Sequence, residues 1–258
     1  IITGITDALI DSTPLVVITG QVGNSGLGTD AFQETDVMGI TQPVTKWSCQ
    51  VRRAEDIPEA IARAFHIAST GRPGPVVLDI TKDAQVHTME WHYEKCNFIR
   101  SYIPFPDISD EAVAQAAELI NNAERPMIIA GHGVMISGAE KELAEMAEKA
   151  DIPVVCTLLG LSSIPSSHPL YKGMAGMHGN IGPNVNTNKC DVLIAIGMRF
   201  DDRVTGDTSK YAPQAKIVHI DIDPSEFNKN IRATVPVLGD AKTVLGKLIP
   251  MLRKNEHK

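Results

Sequence analysis

The stretch Val192-Leu-Ile-Ala-Ile-Gly-Met-Arg-Phe-Asp-Asp-Arg-Val-Thr-Gly206 decides the fold. Its first five residues are apolar without alternation, the pattern of a strand buried on both faces of a parallel sheet. Gly197 ends the strand. Beyond it, Arg199 and Arg203 bracket Asp201 and Asp202 in a loop delivered to the carboxyl edge of the sheet, where open α/β folds bind ligands. Guanidinium forks match phosphate oxygens, so the loop suits a pyrophosphate-containing dinucleotide. The same residues also read as an Arg–Asp network that merely pins the loop. Glycine-bearing strand ends elsewhere favour the ligand.

Outward from this strand, strands and helices alternate, which favours parallel sheets. The chain opens on what reads as the body of a helix, Ile1 to Ser12, followed by an apolar strand at Leu15 to Thr19 and a glycine-rich connection from Gly23 to Thr35. A helix is expected from Asp56 to Thr70. Asp56 suits its cap, Pro58 its first turn and Gly71 its end, with Ile57, Ile61, Phe65 and Ala68 on the face toward the sheet. A strand follows at Val76 to Ile80. From Ala84 to Pro106 periodicity is lost and aromatics gather (Trp91, Tyr93, Phe98, Tyr102, Phe105), as in a linker.

A second α/β set then begins with a helix from Ser109 that buries Val113, Ala116, Ala117 and Ile120. Strands are expected at Met127 to Ala130, Val154 to Thr157, Val192 to Ile196 and Ile217 to Ile222, with helices at Glu140 to Ala150 and Thr243 to Lys254 before the polar tail Asn255 to Lys258. The strand ends carry Gly131-His-Gly133, Thr157, Gly197 and Asp221-Ile-Asp223. A strand followed by Gly-x-Gly and a helix is a short dinucleotide fingerprint; four such ends in one unit make a fuller one.

Composition limits the class. With 258 residues, 43% hydrophobic and 21% charged, the chain reads as an ordinary globular protein of one large or two smaller domains. A net charge of -7 without a basic run argues against nucleic acid as partner. No apolar run approaches the ~20 residues that span a bilayer, and no leader pattern opens the chain, so a cytoplasmic location without a membrane partner is expected. Cys49, Cys96, Cys156 and Cys190 lack metal-site spacing and read as structural thiols.

The runs Gly28-Thr-Asp-Ala-Phe-Gln-Glu-Thr35, Gly71-Arg-Pro-Gly-Pro75, Gly176-Met-His-Gly179, Arg199-Phe-Asp-Asp-Arg-Val-Thr-Gly206 and His219-Ile-Asp-Ile-Asp223, in this order, closely resemble the catalytic large subunit of the acetolactate synthase family. The resemblance runs from end to end of the chain. It implies the latter part of a pyrimidine-binding domain over residues 1–85, a linker over 86–106, and a doubly wound, Rossmann-like FAD-binding domain with a parallel sheet over 107–258. It also implies a thiamine diphosphate- and Mg²⁺-dependent condensation of two 2-keto acids, in a homodimer or tetramer with a regulatory small subunit. The family's thiamine-activating glutamate lies upstream of the matched region and its Mg²⁺ motif downstream. The chain alone is therefore expected to hold no metal and to release no CO₂ from pyruvate.

By matching motif, Gln33 resembles a glutamine that projects into the thiamine site, Phe32 a residue lining the substrate channel, and Lys82 a lysine at the channel mouth. Without the family, Gln33 reads as a turn-stabilising amide and Lys82 as a solvated lysine. For FAD the resemblance implies Arg72, Gly131, His132, Gly133, Thr157, Leu158, Gly176, Met177, His178, Gly197, Met198, Arg199, Phe200, Asp201, Asp221, Ile222 and Asp240. His132 stands where many relatives have a third glycine, and its ring narrows the backbone's approach to a cofactor. The flavin's role would be structural, since joining two pyruvates with loss of CO₂ transfers no electrons to an acceptor. A thiamine-dependent flavin oxidase of related architecture and a non-catalytic dinucleotide-binding module are the alternative readings.

Overall fold

Burial of every residue from Pro75 to Thr81 makes that strand the axis of the first of two compact units, Ile1–Pro104 and Phe105–Lys258. The structure, a computed structural model, describes residues 1–256. His257 and Lys258, which close the expected polar tail, lie outside the described residues. In the first unit the chain runs through α1 (Ile2–Ile10), β1 (Leu15–Gln21), α2 (Val37–Thr41), β2 (Trp47–Val51), α3 (Ile57–Ser69), β3 (Pro75–Thr81) and α4 (Lys82–Val86). The three strands are parallel in the order β1-β3-β2. The register sets Thr19 and Gln50 opposite Asp79, whose side chain is fully buried. Its carboxylate accepts hydrogen bonds from Thr19 Oγ1 (2.8 Å), Gln21 Nε2 (3.1 Å) and Gln50 Nε2 (3.0 Å). A buried carboxylate is tolerable only when its oxygens are satisfied, and here neutral groups from both flanking strands do so.

Three expectations for this unit change. Strand β2 was not foreseen, because Trp47-Ser-Cys-Gln-Val51 is short, edge-placed and mostly half-buried. Asp56 does not cap α3 with its side chain; it closes a 3₁₀ turn in helical backbone conformation and lies 3.6 Å from Arg53 Nε. Phe65 is 60% exposed, because the stripe against the sheet is Ala60, Ala64, Ile67 and Ala68, flanked by Ile57 and Ile61. Small side chains let the helix lie close to the strands, and Phe65 falls at the rim.

The end of α3 draws on the segment expected as a linker. The Tyr102 hydroxyl donates to the Thr70 carbonyl at 2.7 Å, and Lys46 Nζ donates to the Ile67 and Thr70 carbonyls and to the Tyr102 hydroxyl. These donors satisfy carbonyls that a helix end leaves without partners. Burial pushes the Lys46 ammonium down to about 8.

The second unit comprises α5 (Asp110–Asn121), β4 (Pro126–Ala130), α6 (His132–Ile136), α7 (Glu140–Ala150), β5 (Val154–Cys156), β6 (Tyr171–Met174), α8 (Ile181–Lys189), β7 (Val192–Ile196), α9 (Asp202–Thr205), β8 (Lys216–Asp221), β9 (Val235–Leu238) and α10 (Ala241–Leu248). Its six strands are all parallel in the order β6-β5-β4-β7-β8-β9. Counted from β4 as one, this is the Rossmann order 3-2-1-4-5-6, whose winding reverses between β4 and β7. Every residue of β7 is buried, and its neighbours divide between two cores. Val192, Ile194 and Ile196 pack with residues of α5, α7 and α10, while Leu193 and Ala195 pack on the other face with Met127, Ile129, Phe200 and Tyr211. Burial on both faces is why the strand reads as an unbroken apolar run.

Helix α5 takes its cap from Ser109, whose hydroxyl accepts from the Ala112 N–H at 3.2 Å, and it buries the four expected residues. Helix α10 stops at Leu248, short of the expected Lys254, and passes into a 3₁₀ turn containing Pro250, which has no N–H to continue the ladder. Strands β6 and β9 and helix α8 were not foreseen. Burial raises the thiols of Cys156 to about 11 and Cys190 to about 12, in keeping with inert structural cysteines.

Ile194→Ala should destabilise the second unit by about 2–5 kcal/mol, through lost transfer energy and the cavity left in the central strand. Phe65→Ala should change stability by no more than about 0.5 kcal/mol. Urea denaturation of the two variants measures both, and a comparable loss in each would contradict this division between core and rim.

Candidate functional site

Because all six strands of the second unit run the same way, their carboxyl ends share one edge, and the loops leaving them carry nearly all the expected dinucleotide residues. The reversal between β4 and β7 brings Gly131 and Gly133 against Gly197. The N–H of Gly131 donates to the Ile196 carbonyl (2.9 Å), that of Gly133 to the Gly197 carbonyl (3.0 Å), and that of Gly197 to the Ile220 carbonyl (2.8 Å). A Cβ built on Gly131 would lie 2.2 Å from the Gly197 oxygen, and one built on Gly197 would lie 2.5 Å from the Gly133 Cα. These glycines therefore admit one another's backbone, where the sequence reading had them admit a ligand. In open α/β sheets generally, ligands bind outside such a junction.

The Arg199 loop is shaped by left-handed backbone at Gly197 (φ 58°) and Phe200 (φ 51°). Met198 and Phe200 turn their side chains into the core, so they offer the crevice only backbone, while Arg199 between them stays partly exposed. Arg199 Nη2 is 3.8 Å from Asp201 Oδ2, and Arg203 Nε is 4.0 Å from Asp202 Oδ2. At such distances in partly exposed surroundings these pairs contribute at most about 1 kcal/mol, so the Arg–Asp network alone does not pin the loop. Firmer ties do. The Asp201 carboxylate caps α9 through the Arg203 N–H at 3.0 Å, Asn230 Nδ2 donates to the Phe200 carbonyl at 3.0 Å, and the Met177 N–H donates to the Arg203 carbonyl at 2.7 Å.

That last bond joins the loop after β6 to the loop after β7. Gly176 is held by both ends of the Asn184 amide, which accepts from its N–H and donates to its carbonyl, each at 2.8 Å. Met177 and His178 stand exposed beyond it. After β5, the Thr157 hydroxyl accepts from the Gly160 N–H at 3.2 Å and leaves Leu158 exposed. After β8, Asp221 is buried with its Oδ1 accepting from the Asp223 N–H at 2.9 Å, and Ile222 is half-buried. After β9, the Asp240 carboxylate caps α10 through the N–H and hydroxyl of Thr243, both at 3.1 Å. His132 is the first residue of α6 and half-buried. The sequence reading missed Asn184, Asn230 and the ring of His219. For His219 a signal exists, since a polar residue inside the apolar run Ile217 to Ile220 must find a buried partner. For the two asparagines there is none.

In the first unit, Arg72 Nε donates to Ser12 Oγ at 3.0 Å and its Nη2 to the Ile10 carbonyl at 3.3 Å, at the end of α1. Lys82 is exposed at the start of α4. Phe32 is 90% exposed and Gln33 is exposed with φ 66°. Stabilising their turn falls to Glu34, whose carboxylate accepts from the N–H groups of Gly28, Thr29 and Ala31. The Gly28 N–H above all, with those of Ala31 and Thr29, holds this carboxyl below its ordinary range.

Fold and site together define a parallel α/β protein whose switch-point loops carry arginine and carboxylate side chains. Residues 113–248 match the family model for the central domain of thiamine pyrophosphate enzymes, and the chain belongs to that family. Among proteins with assigned names, it is similar to the probable acetolactate synthase large subunit of Methanocaldococcus jannaschii, with 48% identity over 98% of this chain and 43% of the relative. It is likewise similar to the acetolactate synthase large subunit of Corynebacterium glutamicum, with 48% identity over 96% of this chain and 40% of that protein. An acetolactate synthase of Mycobacterium leprae is 46% identical over 99% of this chain and 41% of its own length. The chain thus spans about two-fifths of the length of these curated relatives.

The Glu34 clamp has a pH signature. A carboxyl whose folded pKa is depressed stabilises above its ordinary value of 4.5 and loses that contribution as pH falls through the lower folded value. Amide exchange at Gly28, Thr29 and Ala31, corrected for intrinsic rates, should be protected above pH 4.5 and released in more acid solution. Glu34→Ala should show the released rates at neutral pH; protection unchanged in that variant would remove the clamp.

Proposed function

We propose that this chain works within an acetolactate synthase large subunit, which joins two pyruvates into 2-acetolactate with loss of one CO₂, or pyruvate with 2-ketobutyrate. The observation that carries the reading is the Gly197–Gly206 loop, placed at the switch point of a 3-2-1-4-5-6 sheet in a chain 48% identical to named synthases. The relatives named as large subunits support a smaller, regulatory partner, and a homodimer or tetramer is part of the same proposal.

The second unit is proposed to hold FAD. Its donor set fits a flavin dinucleotide, with the Arg199 and Arg203 cations suited to the diphosphate and Asp221, at the end of the neighbouring strand, suited to an adenosine hydroxyl. Backbone at Gly131–Gly133, Thr157–Leu158, Gly176–His178 and Gly197–Asp201 would line the crevice, with Ile222 and Asp240 also contributing, and Arg72 is proposed as a further FAD contact. Among the described residues, no three imidazole, thiol or carboxylate groups cluster together. Thiamine diphosphate would supply the electron sink for decarboxylation. The chain's own contribution is to bind and orient. Gln33 would donate its amide N–H to a keto-acid oxygen as charge develops, Phe32 would exclude water beside it, and Lys82 would draw in the substrate carboxylate.

Arg199→Ala should weaken FAD binding by about 1.5–3 kcal/mol, the worth of a hydrogen bond to a charged group. Calorimetry that finds equal affinity in wild type and variant would count against the dinucleotide site. Exchanging this chain for the matching part of the Methanocaldococcus jannaschii relative should give a protein that forms 2-acetolactate from pyruvate. Within that protein, Gln33→Ala should lower kcat by roughly 10²–10³-fold, as loss of a donor aimed at developing charge does. No product from the exchanged protein would defeat the functional reading, and full turnover by the Gln33 variant would return that residue to a surface role.

A further inference from the structure

The imidazole of His219 takes part in none of the roles above, yet it lies at the root of the Arg199 loop. It stands on β8 opposite Ala195 of β7, fully buried, with Nε2 2.8 Å from the Met198 carbonyl oxygen. A carbonyl can only accept, so Nε2 carries the proton. Nδ1 is buried with no hydrogen-bond partner. The ring is gripped edge-to-face by Phe200 and Phe227, each with its centroid 5.1 Å away. Burial, the largest influence, lowers the pKa of this imidazole, against the opposing effects of the Met198 carbonyl and the Glu226 carboxylate. The nearest oxygen of Asp221 lies 3.9 Å from Nε2. A second proton would sit on Nδ1 without an acceptor, so the neutral ring with Nε2–H is the form the site fits.

We propose that His219 is a positioning residue for the dinucleotide crevice: its neutral Nε2–H fixes the Met198 carbonyl and thereby the peptide that aims Arg199. The loop needs such a tie. It passes through left-handed backbone at Gly197 and again at Phe200, where a bulky side chain makes that conformation costly unless the surroundings impose it. Asn230 holds the Phe200 carbonyl from one side, and His219 holds the Met198 carbonyl from the other. With both carbonyls tied and both flanking side chains in the core, the direction of Arg199 is set before any ligand arrives.

The cofactor arm of this inference rests on the dinucleotide reading, and two variants separate the failure of one from the failure of the other. His219→Gln keeps an amide N–H at about the reach of Nε2, whereas His219→Phe keeps ring volume and removes the donor. In the chain without FAD, amide exchange over residues 197–201 should quicken about tenfold or more in His219→Phe and stay near wild type in His219→Gln. FAD titrated against each chain should bind about tenfold or more weakly to the Phe variant and within about threefold of wild type to the Gln variant. Wild-type exchange and affinity in His219→Phe would overturn the proposal. So would a Gln variant as impaired as the Phe variant, which would mark the ring as packing alone. A wild-type chain that takes up no FAD would refute the cofactor reading, while the exchange measurement would still decide the role of His219. Should His219→Phe fail to fold, nitrogen NMR of the wild-type ring decides instead: a bare Nδ1 and protonated Nε2 support the tie, and the opposite tautomer overturns it.

Discussion

Backbone meeting backbone at Gly131, Gly133 and Gly197 is the contact on which the carboxyl edge of the second unit depends. At this point the chain stops winding in one direction across the sheet and begins winding in the other, so the ends of β4 and β7 must part enough for a crevice yet stay hydrogen-bonded. A single methyl group on Gly131 or Gly197 would fall within 2.2 to 2.5 Å of main-chain atoms. Only displacement of a strand end could relieve that overlap, and both strands are locked on two faces by fully buried neighbours such as Ile128, Ile129, Leu193 and Ile194. Glycine is thus imposed by the core beneath as much as by any ligand above.

The loops beyond that junction rely on a different kind of order. Met198 and Phe200 descend into the core and Arg199 between them does not, so alternation of inside and outside begins only past the end of a strand that is buried throughout. Elsewhere the loops are tied by single amides. Asn184 holds Gly176 at both its N–H and its carbonyl, and the Met177 N–H then joins that loop to the Arg203 carbonyl. A shift in either loop is passed to the other through one hydrogen bond.

Features fixed by local physics were open to reading in advance. The unbroken apolar run of β7, the helix begun at Ser109 with its 3.6-residue stripe, and α7 from Glu140 to Ala150 are each settled by neighbours in the chain. Strands β2, β6 and β9 were not legible: they are five residues or fewer and stand at sheet edges, β2 and β6 mix polar with apolar residues, and β9 carries a proline. Helix α8 hides for another reason, since Ile181-Gly-Pro-Asn-Val-Asn-Thr-Asn-Lys189 contains almost no strong helix former. Of the site, the glycine-bearing strand ends could be seen, but not that the glycines face one another. The partners of His219 and Asp79 could not be read, because what satisfies each lies 21 to 60 residues away and only the assembled sheet brings it near.

In the first unit, the three amides gathered on the Glu34 carboxylate settle a turn that would otherwise wander. Ordering a residue's backbone costs on the order of 1–2 kcal/mol of conformational entropy. In the loop from Gly28 to Glu34 that cost falls on folding, with Gln33 already set in its left-handed conformation and Phe32 already outside. A molecule that meets this tip therefore meets a rigid knuckle, and little of the contact energy is consumed in ordering the chain.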